Sequence, residues 1–121
     1  MYQVKLDNTK KLLTIIYAQK VSPDETKRCL AELETVLENQ KGGFCLLTDL
    51  SGLESMDLAC VPDIRRAMDL LNKKGVERVV RVIPDPRKDI GFNILSLFHY
   101  RRGVRIITCE TMDEAMTALR E

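Results

Sequence analysis

The stretch from Phe44 to Gly75 runs from an apolar segment through an acidic turn into an amphipathic segment, and this order limits how the chain can fold. Residues 44–47 form an apolar run too short for a helix, and residues 49–56 are rich in turn-forming types. Apolar residues then recur at the spacing of one helical face: Ile64, Ala67, Met68 and Leu71. The segment therefore predicts strand, loop and helix, a junction at which ligands and partners usually bind in open α/β sheets.

Similar signals organise the N-terminal part of the chain. Alternating apolar residues from Tyr2 to Leu6 and the apolar run from Leu12 to Gln19 surround a short polar turn, which predicts a β-hairpin. Residues 22–25, Ser-Pro-Asp-Glu, combine an N-cap serine, a proline and a glutamate placed to close a capping box. A helix is therefore predicted to begin at this point and to end at Gly42-Gly43.

The C-terminal part continues the alternation of strands and helices. The pattern predicts a strand at 79–83, a helix from Pro86 to Tyr100, a strand from Val104 to Glu110 and a last helix behind a capping box at 111–114. This order predicts an α/β fold, with a mixed, mostly parallel sheet of about five strands and helices packed on it. The helix from Pro86 to Tyr100 is more apolar than one buried stripe requires. Two interpretations stay open, deep burial in the core and a homodimer or partner surface.

Composition limits the classes of function. A length of 121 residues predicts one domain over 1–121, and 19 basic against 18 acidic residues give no bulk charge that favours nucleic acid or a membrane surface. The first residues lack an apolar leader, and no apolar run approaches the roughly 20 residues of a membrane span, so a cytoplasmic location is expected. One local basic patch is an alternative to solvated charge: Arg87, Lys88, Arg101, Arg102 and Arg105.

The sequence predicts no enzyme, cofactor or metal site. The four cysteines are widely and irregularly spaced without a C-x-x-C pair, which favours reduced thiols. His99 is the only histidine, and no nucleophile and base can be paired in sequence. Two weaker alternatives are a thiolate at Cys60, activated near a helix start, and a metal held by Asp49, Glu54 and Asp57.

Residues 47–57, LTDLSGLESMD, lie between the predicted buried strand and the helix. With the element order β-β-α-β-α-β-α-β-α, this stretch resembles the STAS domain family, named for sulfate transporters and anti-sigma factor antagonists. In that family an aspartate precedes a small hydroxyl pair and a glycine at the helix start. Here Asp57 keeps its place, whereas Leu58, Ala59 and Cys60 stand in the following positions. The resemblance covers nearly the whole chain and implies a STAS-like, SpoIIAA-like α/β domain.

In STAS antagonists a partner kinase phosphorylates the serine after that aspartate, and the added charge of about −1.5 to −2 disrupts docking. Leu58 has no hydroxyl, so the resemblance implies a docking surface without this phospho-switch. It implies a non-catalytic bacterial regulatory module whose partner is a protein, either an anti-sigma-type kinase or another regulator. The residues implied in partner binding are Leu53, Glu54, Met56, Asp57, Leu58, Ala59 and Cys60.

The resemblance also leaves an alternative function. A SpoIIAA-like group of stand-alone bacterial proteins lacks the serine as well. The alternative is a carrier or sensor of a small apolar ligand, in which the predicted helix from Pro86 to Tyr100 packs beside a pocket.

Local chemistry gives further expectations for the turn itself. Asp57 is expected to cap the following helix, with binding of a partner cation as the alternative. Pro62 lacks a backbone N–H, which predicts an irregular or delayed first helical turn. Ser51 is expected to build the turn and Ser55 to face water, with phosphorylation of either as the alternative.

Overall fold

The computed structural model describes residues 1–83 and 104–121. The strands of these residues are β1 (Tyr2–Asp7), β2 (Leu12–Tyr17), β3 (Gln19–Val21), β4 (Phe44–Asp49), β5 (Leu53–Met56), β6 (Val76–Val82) and β7 (Arg105–Cys109). The α-helices are α1 (Pro23–Val36), α2 (Val61–Lys73) and α3 (Met112–Arg120), and a short 3-10 helix spans Leu58–Cys60. None of these helices has the length and apolar character needed to cross a membrane. The predicted helix from Pro86 to Tyr100 and its dimer or partner surface lie outside the described residues, as do His99 and four of the five patch residues.

The main sheet has five strands in the order β1-β2-β4-β6-β7, which confirms the predicted mixed α/β architecture. The hairpin strands β1 and β2 are antiparallel, and each later neighbour is parallel. Asp7 fixes the hairpin turn, because its Oδ1 accepts bonds from the backbone N–H groups of Thr9 and Lys10, both at 3.0 Å. The strands β2, β4 and β6 therefore all begin at one end of the sheet and finish at the other.

A small second sheet was not predicted from the sequence. Gln19 has a positive φ of 59°, which ends β2 and turns β3 away to pair in parallel with β5. The prediction of one strand from Leu12 to Gln19 is therefore wrong at its end. The assignment of 49–56 to a turn is also wrong over Leu53–Met56, where backbone groups pair with Gln19–Val21. This pairing joins segments far apart in sequence, so no local pattern reveals it.

Helices cover both faces of the main sheet. On the face toward α1 and α2, the larger core cluster combines strand residues such as Leu13, Leu46 and Val79 with Leu33 of α1 and Ile64 of α2. On the opposite face, a smaller cluster packs against α3. Its members are Leu47, Val80, Val82, Cys109, Ala115 and Ala118. Among the described residues, the apolar cluster on the α3 face therefore has fewer members than the cluster on the α1 and α2 face.

The predicted capping box is complete at α1 and only half formed at α3. The capping box of α1 is complete, because Glu25 N donates to Ser22 Oγ and Ser22 N donates to Glu25 Oε1, both at 3.3 Å. At α3, Glu114 N donates to Thr111 Oγ1 at 3.1 Å, but the Glu114 carboxylate accepts its return bond from Glu110 N at 3.3 Å. Helix α1 ends at Val36, earlier than the predicted Gly42-Gly43, which instead form the turn into β4.

Candidate functional site

The candidate site begins where β4 ends. Leu50 N donates to Val82 O at 2.9 Å, which ties the end of β4 to β6. Asp49 Oδ1 then accepts bonds from Ser51 N at 2.9 Å and from Ser51 Oγ at 2.6 Å. Ser51 therefore builds the turn as predicted, and its hydroxyl is already engaged.

The residues predicted to bind a partner divide between core and surface. Leu53 and Cys60 are fully buried, and Met56 is only 9% exposed. The exposed members are Glu54, Asp57, Leu58 and Ala59. The three buried residues hold the segment to the core, so only the four exposed residues can contact a partner directly.

Asp57 lies between β5 and the short 3-10 helix. Its N–H donates to Val21 O at 3.4 Å, and its Oδ1 accepts a bond from Ala59 N at 2.8 Å. The side chain is therefore an N-cap, as the sequence predicted, and it satisfies a donor that the helix start leaves unpaired.

Pro62 explains the irregular geometry that follows. In a regular α-helix the carbonyl of Leu58 would accept a bond from residue 62, but proline has no N–H to give. Instead Val61 N donates to Leu58 O, which is the 3-10 pattern, and α2 begins only at Val61. The predicted delay in the first helical turn is confirmed.

Leu58 is the most exposed large apolar side chain among those of the described residues. Its exposed fraction is 64%, compared with 46% for Met1, 42% for Met116 and 37% for Ile106. The backbone on either side is fixed by the Asp57 cap and by the buried Cys60, whose N–H donates to Asp57 O at 2.9 Å. The structure thus presents one apolar side chain on a rigid turn.

A buried polar cluster lies under this turn, at the contact between α1 and α2. Thr26 Oγ1 is 3.1 Å from Asp63 Oδ2 and 3.0 Å from Pro23 O, and both Thr26 and Asp63 are buried. Arg66 reaches Asp63 Oδ1 at 3.7 Å from the exposed side of α2. The burial of Asp63 was not predicted from the sequence. Its position four residues before Ala67 places it on the buried face of the helix and was the available signal.

The thiol of Cys60 does not have the environment of an activated nucleophile. Burial raises the pKa of this thiol above its ordinary value, and its Sγ donates to Val21 O at 3.7 Å. The alternative of a lowered-pKa thiolate at this position is therefore wrong.

The acidic residues of the turn do not form a metal site together. Within residues 1–83 and 104–121, no group of three or more His, Cys, Asp or Glu side chains is arranged to hold a metal ion. Asp49 and Asp57 each serve their own local turn instead.

No protein-family model and no curated protein matches this chain. Solved structures do. The unphosphorylated anti-sigma factor antagonist SpoIIAA superposes with a TM-score of 0.65 at 16% identity, over 99% of this chain and 98% of that one. An uncharacterized protein with a SpoIIAA-like fold from Shewanella loihica gives a TM-score of 0.69 at 16% identity, over 98% and 92% of the two chains. The chain has the SpoIIAA-like fold.

An anti-sigma factor antagonist from Mycobacterium paratuberculosis shares this fold, with a TM-score of 0.60 at 17% identity over 100% of this chain and 94% of that one. The fold predicted from the STAS resemblance is thereby confirmed. At such identities the likeness concerns the path of the backbone, so function has to be argued from the side chains of the turn.

Proposed function

We propose that this protein is a non-catalytic regulatory module that binds a protein partner through residues 53–60, here called the docking turn. The observation that carries the proposal is Leu58, an apolar side chain left 64% exposed on a turn that is otherwise fixed to the core. The SpoIIAA-like fold, which anti-sigma factor antagonists share, supports a partner of the anti-sigma kinase or regulator class.

The rigidity of the docking turn favours recognition. Burying a whole leucine side chain contributes about 1.5–3 kcal/mol, so covering the exposed part of Leu58 contributes about 1–2 kcal/mol. Because β5 pairs with β3 and Asp57 caps the 3-10 helix, little backbone entropy is lost when a partner docks. Leucine is under-represented among the residues that dominate interface energies, so Leu58 is expected to contribute this burial energy alongside other contacts.

The same residue argues against control by phosphorylation at this position. Leu58 carries no hydroxyl that could accept a phosphate. The hydroxyl of Ser51, in the turn after β4, is already bonded to Asp49. We infer that docking is not reversed by phosphate on the residue after Asp57. Partner binding then depends on the concentration of the partner or on a change at another residue, such as Ser55.

Comparative affinity purification from the native cell tests the proposal. The wild-type chain, Leu58→Glu and Met116→Glu are used as bait and their captured proteins are quantified by mass spectrometry. Leu58→Glu places a charge in the proposed interface, whereas Met116→Glu makes the same kind of change at another exposed apolar residue, on α3. A partner retained by Met116→Glu and lost with Leu58→Glu supports the docking turn.

Equal capture by all three baits would refute the docking turn as the binding surface. Circular dichroism of each variant shows that loss of binding does not come from unfolding.

A further inference from the structure

A second concave surface lies at the opposite end of the sheet, where the parallel strands begin. It is a cavity of about 430 Å³ between the hairpin turn, the first residues of β2 and β4, and the last turn of α3. We call it the basal groove. Its size lies within the range of about 300–1,000 Å³ that is typical of small-molecule sites.

Strand register brings the floor of the basal groove together. Leu12 pairs with Cys45 in the parallel ladder of β2 and β4, and Cys45 pairs with Arg78 in that of β4 and β6. Directly paired residues project from the same face of a sheet, so these three side chains form one row across three strands. Arg105 pairs with Arg78 on the next strand and continues the row.

The basal groove is positively charged. Lys10 from the hairpin turn, Arg78 from β6 and Arg120 from α3 line it, and its lining includes no acidic side chain within the part of the chain that the structure describes. Three cations that share one concave surface attract an anion and disfavour a cation.

Arg78 has an unused hydrogen-bond donor. Its Nη2 donates to Leu119 O at 3.3 Å, but its Nε is buried without a hydrogen-bond partner among the described residues. A buried donor on a charged group is costly when it stays unpaired, and the guanidinium fork matches the two oxygens of a carboxylate. This Nε is itself buried out of a ligand's reach, so the anionic character of the ligand is inferred from the guanidinium charge that Arg78 brings to the lining of the groove.

The rest of the lining is apolar. Leu12 forms part of the floor, and Met116 and Leu119 form the wall on α3. Met116 is 42% exposed, so apolar surface is left for a ligand to cover. A small inorganic anion would use the cations and leave this wall in water, whereas a ligand with an apolar body would use both.

A shallower cavity adjoins the basal groove. It has a volume of about 480 Å³, shares Lys10 and Leu12 with the groove, and has Lys5 and Asp7 in its lining. Its two lysines and one carboxylate do not exclude an anion, so the choice of a ligand with an apolar body rests on the apolar wall of the basal groove.

We propose that the basal groove binds an amphipathic monocarboxylate. The carboxylate lies on Arg78, with Lys10 and Arg120 beside it. The aliphatic chain packs on Leu12, Met116 and Leu119. This site is independent of the docking turn, because Cys45 is near the start of β4 and the docking turn follows its end.

Cys45 provides a reporter inside the basal groove. It is partly exposed, whereas Cys29, Cys60 and Cys109 are buried, so native protein should react with iodoacetamide first at Cys45. The rate of alkylation at Cys45 is followed by peptide mass spectrometry with decanoate, with decan-1-ol and without ligand.

Decanoate at ten times its dissociation constant should slow alkylation by roughly tenfold, since only the unliganded protein reacts. Decan-1-ol, which has a similar chain and no charge, should protect Cys45 much less at the same concentration. Equal protection by both compounds would overturn the anionic assignment, and no protection by either would overturn the site.

Substitutions locate the carboxylate. Arg78→Gln at the floor should weaken decanoate binding by about tenfold or more, because it removes a charge-assisted bond. Arg120→Gln at the exposed rim should weaken it by about two- to fivefold, because it removes a nearby charge. Arg65→Gln removes the same charge from an exposed position on α2 and should leave binding unchanged. If Arg78→Gln does not fold, the result for Arg120→Gln decides. Protection of Cys45 by decanoate at the wild-type level in both arginine variants would overturn the proposal.

Amide chemical shifts separate this proposal from the docking turn. Decanoate should shift the amide signals of Cys45 and Leu119 and leave those of Leu58 and Ala59 in place. Leu58→Glu should keep decanoate binding, and Arg120→Gln should keep partner capture. Shifts confined to the docking turn would overturn the assignment to the basal groove.

Discussion

Two buried threonines differ in the hydrogen bonding of their hydroxyl groups, so the same substitution should change the free energy of unfolding in opposite directions. Thr48 in β4 is 3% exposed and Thr26 in α1 is 2% exposed. The Thr26 hydroxyl reaches the Asp63 carboxylate at 3.1 Å, whereas the Thr48 hydroxyl has no hydrogen-bond partner among the described residues. Threonine and valine have nearly the same shape, so Thr→Val tests the hydroxyl alone.

The expected magnitudes follow from the cost of an unpaired hydroxyl. A buried polar group without a partner costs about 1–3 kcal/mol, so Thr48→Val should raise the free energy of unfolding by about 1–2 kcal/mol. Valine is also well suited to a buried strand. Thr26→Val removes a bond to a charged group and should lower the free energy of unfolding by about 1.5–3 kcal/mol.

Urea unfolding followed by circular dichroism measures both effects. With a slope of about 2 kcal/mol per molar urea, a change of 1 kcal/mol moves the midpoint by about 0.5 M. The midpoint should rise for Thr48→Val and fall for Thr26→Val, with an unchanged slope in each. A lower midpoint for Thr48→Val would mean that its hydroxyl is satisfied in solution and would refute the reasoning.

Three further predictions concern single groups. The hydrogen bond to Glu32 raises the pKa of Tyr2 to about 12, so Glu32→Gln should lower this pKa in an ultraviolet titration. The contribution of this bond to the free energy of unfolding should be complete below the unfolded pKa of tyrosine, about 10, and should be lost as pH rises through about 12. Burial raises the pKa of Cys60, so its alkylation by iodoacetamide at neutral pH should be much slower than that of Cys45, and equal rates would contradict its burial. Because Leu58 is 64% exposed, Leu58→Glu should change the free energy of unfolding by less than about 0.5 kcal/mol, and a larger loss in urea unfolding would show that Leu58 supports the fold.

Features set by neighbouring residues could be predicted from the sequence. The capping box at Ser22 depends on four consecutive residues, and the delayed helix after Asp57 depends on the missing N–H of Pro62. Both are visible in sequence because the interacting groups lie within one helical turn. The mixed, mostly parallel character of the sheet was predicted for a different reason, since strands that alternate with helices along the chain are joined by crossovers and so lie parallel.

Features set by distant residues could not be predicted. The pairing of β3 with β5 joins Gln19–Val21 to Leu53–Met56, and the contact of Thr26 with Asp63 joins two helices. The partner-binding residues were predicted as one run of chain, although three of them are buried. Leu53 and Met56 are buried at the two ends of β5, and Glu54 between them is exposed. Simple alternation would place Glu54 and Met56 on the same face, so this pattern could not be predicted from the sequence.

The leucine after Asp57 has a consequence for the proposed docking. A phosphate in this position would add about −1.5 to −2 of charge to the docking turn and could reverse binding outright. With Leu58 in place, a signal that controls docking must act on the partner or on another residue of this chain, which includes Ser55 within the docking turn. The basal groove is a second candidate binding site of this chain, and β4 runs from it toward the docking turn, so the coupling between the two sites has to be considered.

A ligand in the basal groove can alter docking only if it binds two conformations of the chain with different affinity. Strand β4 lies in the centre of the sheet between β2 and β6, and most of its side chains are buried. Packed central strands do not move readily, so no second conformation is expected to connect the two sites. The effects of Leu58→Glu and Arg120→Gln on partner capture and on decanoate binding should therefore be additive in the double variant. A double variant that departs from additivity by more than about 0.5 kcal/mol in either binding free energy would show that β4 transmits a signal after all.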